Sequence, residues 1–167
     1  MLGTDHPERS AVEKFIGTVF EKTYGAKVQH FAQTLLGIRG ASGEWIAALG
    51  YTAATRNRLF VENYGGGSVE QQISGKLDTL VSRDQVVEVG NLAALGAGAA
   101  RMLISSAIQY LHESGFSWVI FTATRSLLNS FARLDLRPIS LATADPSRLP
   151  NHGRSCGSYY DKHPQSM

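Results

Sequence analysis

The sequence predicts an α/β domain with a mixed central sheet, and three observations carry that prediction. First, Gln85–Ala123 reads as hydrophobic strand, helix and hydrophobic strand in succession, which is a βαβ unit with parallel strands. Second, two apolar runs upstream, Leu35–Arg39 and Trp45–Ala53, flank the turn-rich cluster Gly40-Ala41-Ser42-Gly43 and read as an antiparallel hairpin. Third, no composition shift, repeat or linker interrupts the 167 residues, so residues 1–167 are expected to form one domain.

Taken in order, Asp5–Lys22 is the first predicted helix. Asp5 is its expected cap, Pro7 lies in its first turn, and Val12, Phe15, Ile16, Val19 and Phe20 share one face. Gly25 is its expected stop. The hairpin follows. Leu59–Tyr64 reads as a short strand, broken by Gly65-Gly66-Gly67, and Ser68 caps a helix from Val69 to about Leu77. In the βαβ unit the strand is Gln85–Leu92, the helix Leu95–Ser114 and the second strand Phe116–Ala123. Beyond it, Thr124–Leu134 reads as a helix, Arg137–Thr143 as a strand, and Ser158–Tyr160 as a last strand at the sheet edge.

Composition narrows the function classes. Hydrophobic residues make up 43% and charged residues 18%, as in a globular protein, and the net charge of +2 does not single out DNA. The single cysteine, Cys156, excludes an internal disulfide, and no histidine or cysteine spacing suits a metal site. No transmembrane segment or leader is evident, so a cytoplasmic location is expected.

Two features point to chemistry. The turn Leu95-Gly96-Ala97-Gly98-Ala99-Ala100 carries almost no side chain and opens a helix, so its free amides suit a phosphate. The same small residues would also let the helix pack closely on the sheet. Glu88 sits among valines in a strand expected to be central, where burial would raise its pKa toward that of a general base. Glu62, within Leu59-Phe60-Val61-Glu62-Asn63-Tyr64, is the second candidate, as a base or as an anion that binds an amine.

The βαβ unit with its following helix and strand resembles the acyl-CoA-binding half of the GNAT (N-acetyltransferase) superfamily. Gly98-Ala99-Ala100 matches the Gly-x-Ala part of the pyrophosphate turn, with Leu95 where an arginine or glutamine is usual. Phe131-Ala132-Arg133-Leu134-Asp135-Leu136 is similar to a second signature of that superfamily, with Phe131 in place of a tyrosine that often serves as general acid. The chain also resembles the thermostable hemolysin family, a GNAT-like group distantly similar to acyl-homoserine-lactone synthases. That resemblance rests on Ala47–Tyr51, Leu59–Tyr64, Glu88–Ala93, Phe121–Thr124, Leu141–Pro146 and Gly157–Asp161, with Cys156 where a tryptophan is expected.

The resemblance implies a GNAT-like fold and transfer of an acyl or aminoacyl group from acyl-CoA, an acyl carrier protein or an aminoacyl-tRNA to a small amine in specialised metabolism. The donor is then a co-substrate, and no cofactor is held permanently. Carrier protein, tRNA or a second copy in a homodimer are the partners it allows, and Arg56, Arg58, Arg83, Arg101 and Arg125 are the arginines available to a carrier or tRNA. Glu88 and Glu62 become candidate bases, and Tyr159 and Tyr160 candidate proton donors in the absence of a tyrosine at Phe131. Asn91 would bond the acyl carbonyl or the donor's amide chain, or the backbone amides of Asn91, Leu92 and Ala93 would form an oxyanion site. Leu95, Gly96, Gly98, Ala100 and Arg101 would meet the donor's phosphate, and Thr122 and Thr124 would bond a ligand. The family name suggests the alternative of a membrane-active, hemolytic protein without transferase chemistry.

Overall fold

A computed structural model describes the 167 residues, apart from the side chains of residues 150–155. The polypeptide forms one six-stranded sheet in the order β1-β2-β3-β4-β6-β5, with helices on both faces. The strands are β1 (Thr34–Arg39), β2 (Trp45–Ala53), β3 (Val86–Ala94), β4 (Trp118–Ala123), β5 (Ala142–Thr143) and β6 (Gln165–Ser166). The helices are α1 (Arg9–Tyr24), α2 (Val69–Leu77), α3 (Ala97–Glu113) and α4 (Arg125–Ala132). Only β3 and β4 pair in parallel; β1–β2, β2–β3, β4–β6 and β5–β6 are antiparallel. The expected mixed sheet, with its hairpin and βαβ unit, is what forms.

Side-chain alternation assigns the faces. On β2, Ala48 packs into a cluster with Val12 and Ile16 of α1, whereas Ala47 and Leu49 meet Leu103 and Ala107 of α3. On β4, Trp118 and Ile120 join the core beneath α2, and Val119, Phe121 and Ala123 meet Leu127, Leu128 and Phe131 of α4. Thus α1 and α2 cover one face and α3 and α4 the other. Val86 lies in the α2 core, so Glu88, two residues on, points to the face of α1 and α2.

Two irregularities open the middle of the sheet. β3 and β4 pair only from Val86↔Trp118 to Val89↔Phe121. Beyond that Thr122 and Ala123 turn to Ser166 and Gln165 of β6, leaving the end of β3 without a partner on that side. At the same point β3 bulges: two steps along β2 (Ala48 to Gly50) match three along β3 (Ala93 to Gly90). The bulge holds Asn91 at φ +52°, a left-handed conformation that asparagine tolerates better than most residues.

Several sequence expectations are corrected. Helix α1 starts at Arg9 rather than Asp5: the preceding residues form turns, and Glu8 is instead ion-paired with Arg39. Leu59–Tyr64 contains no strand. Its core, Phe60–Asn63, is a 3₁₀ turn, because Glu62 bends back to bond the Leu59 amide. Residues Ser158–Tyr160 belong to a 3₁₀ segment, Pro150–Lys162, which packs against the end of α1, where Ser158 Oγ donates to the Tyr24 carbonyl at 3.1 Å. The last strand lies further on, at Gln165–Ser166, and enters between β4 and β5. Of the expected strand Arg137–Thr143 only Ala142–Thr143 pairs.

Candidate active site

A cavity of about 1200 Å³ runs through the opening between β3 and β4 and is lined from both faces of the sheet. Tyr24 and the segment after α1, residues 26–33, wall it on one face, and Ile104, Ile108, Leu127 and Phe131 wall it on the other. Of the residues singled out from the sequence, Glu88, Asn91, Leu92, Ala93, Gly96, Ala100, Thr122, Thr124, Tyr159 and Tyr160 line this one space. Leu95, Gly98, Arg101 and Glu62 are not among its lining.

Glu88 stands where the two strands begin to part. Its Oε2 accepts from the Phe60 amide at 2.6 Å and its Oε1 from the Val61 amide at 3.0 Å. Burial pushes its pKa up to about 7 against the pull of those two amides, and the neighbouring charge of Glu62 adds a smaller push. The result is a half-buried carboxylate, anchored by two amides, that exchanges a proton near neutral pH.

Glu62 has the opposite environment. Its side chain is 5% exposed. Oε1 accepts from the Val69 amide at 2.9 Å and from Arg83 Nη1 at 2.7 Å; Oε2 accepts from the Leu59 amide at 2.7 Å and from Arg83 Nη2 at 3.2 Å. Burial alone would raise its pKa, but the arginine and the amides outweigh it and hold the carboxyl below the usual range. Both oxygens are doubly engaged, leaving no lone pair for an incoming amine.

Asn91 lines the cavity, and both ends of its amide group bond the protein. Oδ1 accepts from the Ala32 amide at 2.9 Å and Nδ2 donates to the His30 carbonyl at 3.2 Å. Arg9 completes the anchoring of this segment, donating to the carbonyls of Ala32 and Gln33 at 2.8 Å each. The asparagine read as an acyl contact is thus a staple for the cavity wall. Gly50 packs beneath it: a Cβ there would come within 2.6 Å of Ala32 Cβ.

On the C-terminal side, the Tyr160 hydroxyl is hydrogen-bonded to that of Tyr64, and the Tyr159 hydroxyl donates to the Thr122 carbonyl at 3.1 Å. Burial pushes Tyr160 up to about 12 and raises Tyr159 as well, so both hydroxyls are protonated at neutral pH. Thr122 Oγ1 is buried with no hydrogen-bond partner among the described residues. Thr124 is buried at the start of α4.

At the start of α3, Gly96 has φ +119°, a conformation reserved for glycine. A Cβ on Gly98 would meet nothing within 4 Å, so packing does not require a glycine there. The first-turn amides have no partner within the helix, and Gly96, Ala97 and Ala100 bring that turn to the cavity. Leu95 is exposed to solvent, and Arg101 buries its Nη1 without a partner among the described residues. Of the five arginines noted in the sequence only Arg58 lines the cavity, and Arg83 is committed to carboxylates.

The thermostable hemolysin family model matches residues 2–167. This chain belongs to the thermostable hemolysin family. Two solved structures share its fold. TofI in an apo form superposes with a TM-score of 0.57 at 16% identity, over 81% of this chain and 77% of that one. TofI in a ternary complex with an inhibitor and MTA gives 0.56 at 16% identity, over 81% and 78%. The curated proteins contain no match to this member of the family. Despite the family's name, no helix among the described residues is long and apolar enough to cross a membrane.

The sequence reading missed the amides of Phe60 and Val61, the hydroxyl of Tyr64 and the 26–33 wall. Backbone groups leave no signature in residue type, and Tyr64 meets Tyr160 across 96 positions.

Proposed function

We propose that this protein is an N-acyltransferase that moves an acyl or aminoacyl group from an activated thioester or ester to a small amine. The observation that carries the proposal is the Glu88 carboxylate: two amides orient it toward a cavity that crosses the sheet where its strands part, and burial pushes its pKa up to about 7. A base of that pKa suits proton transfer at neutral pH. The shared fold with TofI, solved with an inhibitor and MTA, supports a small-molecule site in this scaffold.

In this reading the amine enters from the face of α1 and α2 and attacks the donor carbonyl. Glu88 takes the proton that nitrogen sheds as the C–N bond forms. The bond from carbonyl carbon to sulfur or oxygen then breaks, and the Tyr160 hydroxyl, backed by Tyr64, protonates the departing thiolate or alkoxide. The amides opening α3 hold the donor's phosphate, and the unpartnered Thr122 Oγ1 bonds the donor within the opening. The donor is acyl-CoA, an acyl carrier protein or an aminoacyl-tRNA; each brings an activated carbonyl and a phosphate.

The test is a thermal-shift and intact-mass screen of those three donor classes with a panel of small amines, on the wild type and Glu88→Gln. A donor that stabilises both proteins but yields amide product only with the wild type supports the reading. Equal product from Glu88→Gln removes Glu88 as base. Absence of donor binding across all three classes overturns the transferase reading.

A further inference from the structure

The two carboxylates Glu62 and Glu88 grip consecutive amides of one turn. Glu62 takes the amide of Leu59, and Glu88 takes those of Phe60 and Val61. Glu62 also takes the Val69 amide at the start of α2, so it ties the turn to that helix. Arg83, just before β3, fastens the assembly. Its Nε donates to the Ala54 carbonyl at 2.9 Å, its Nη1 to Glu62 and Glu70 at 2.7 Å each, and its Nη2 to the Asn57 carbonyl at 3.3 Å and to Glu62 at 3.2 Å. Every N–H of the guanidinium is used, and every bond reaches either the chain that leads into the turn or a carboxylate beside it.

We infer that Glu62 and Arg83 are positioning residues for Glu88: their ion pair fixes the Leu59–Val61 turn so that the Phe60 and Val61 amides hold the Glu88 carboxylate in the cavity. The inference rests on the acyltransferase reading for its catalytic meaning, but not for its geometry. Without the clamp, the turn loses its tie to α2 and to β3, and Glu88 loses the two donors that orient it. The lost amides favoured the charged form, so Glu88 then binds its proton more tightly.

The sign of that change separates positioning from simple charge. Removing the Glu62 charge by itself would lower the Glu88 midpoint, because the two carboxylates repel. Freeing the Phe60 and Val61 amides while the native fold keeps Glu88 buried raises it. The other titratable groups lining the cavity on this face, Tyr24, Lys27 and His30 at and after the end of α1, Arg58 and Tyr64 on either side of the turn, and Cys156, Tyr159 and Tyr160 on the C-terminal side, are left untouched.

The experiment is a carboxylate titration by NMR on protein labelled with ¹³C-glutamate, with the Glu88 resonance assigned by its loss in Glu88→Gln. Three variants are compared with wild type, each checked for native circular dichroism. In Glu62→Gln the Glu88 midpoint is expected to rise by about one pH unit. In Arg83→Lys, which keeps the charge but not the planar fork, it is expected to rise also. In Glu70→Gln, which removes a partner of Arg83 outside the turn, it stays at the wild-type value. A fall in Glu62→Gln, or an unchanged midpoint in a folded Arg83→Lys, overturns the inference. Should Glu62→Gln not fold, Arg83→Lys decides alone. The acid limb of turnover is expected to move with the midpoint, with the donor KM unchanged. A midpoint that rises while turnover stays put upholds the clamp and removes Glu88 as the base.

Discussion

Glu62 and Glu88 are the same residue type, lie beside the same turn and each accept two backbone amides, yet they end in opposite states. Glu62 adds two bonds from a guanidinium, and its pKa falls. Glu88 has no cation among its hydrogen-bond partners in the described residues, and burial lifts it to about 7. The difference teaches that desolvation decides proton affinity only where no opposite charge answers it. One carboxylate is thereby suited to holding structure and the other to exchanging protons.

The largest test of this contrast is catalytic. Glu88→Gln is expected to lower turnover by about 100-fold or more while donor binding by thermal shift is retained, as loss of a general base requires. A drop below about tenfold would place the base elsewhere. Next comes the structural partner. Glu62→Ala leaves Arg83 and two amides without their acceptor, and is expected to cost about 3 kcal/mol in urea unfolding, since breaking a buried pair strands the remaining charge. Loss below about 1 kcal/mol would mean that the pair is no better than a surface ion pair.

The two carboxylates also predict opposite pH dependence of stability. Glu88 has a folded pKa of about 7 against an ordinary value of 4.5. The folded state therefore binds its proton more tightly, and this group's contribution is lost as pH rises from about 4.5 through 7. Accordingly, Glu88→Gln is expected to stabilise the protein by about 2 kcal/mol at pH 8 relative to wild type and to give no such gain at pH 4. Glu62 has a lowered folded pKa, so its contribution is full above its ordinary value and is lost as pH falls through the folded value. Unfolding curves for the two variants at pH 4 and pH 8 compare the slopes directly. On the proposed mechanism, activity follows the same titration in the other sense: Glu88 would act as the anion, so turnover should rise with pH through about 7 and Glu88→Gln should flatten the curve.

Smaller effects test the surrounding wall. Asn91→Ala gives up the bonds to residues 30 and 32 and places alanine at φ +52°, for an expected loss of about 1 to 2 kcal/mol. Gly98→Ala is expected to leave stability within about 0.5 kcal/mol, because a Cβ there meets open space. Its effect should appear instead as a weaker donor-induced thermal shift.

Much of the fold is legible in the amino-acid sequence. The hairpin, the βαβ unit and helix α2 were readable because period-2 and period-3.6 patterns are local and the turns between them carry glycine. Where the reading failed, a tertiary contact had overridden the local pattern. Leu59–Tyr64 is apolar enough for a strand, but the Glu62 side chain closes it into a 3₁₀ turn. Tyr159 and Tyr160 have strand propensity, yet their segment packs on the end of α1. The short strand Gln165–Ser166 has no apolar periodicity to announce it.

The site divides in the same way. By itself the sequence determined which residues were chemically capable: a glutamate among valines, a side-chain-poor turn opening a helix, and paired tyrosines near the end of the chain. Those are properties of residue type and near neighbours. Only the tertiary structure decided which carboxylate faces the cavity and which is sealed by Arg83, that Asn91 holds the wall, and that Tyr64 backs Tyr160. The physical reason is that a side chain's proton affinity and hydrogen-bond commitments depend on groups within a few ångströms. In this fold those groups come from positions 21 residues away for Glu62 and Arg83, 27 for Glu88 and Val61, and 59 for Asn91 and Ala32.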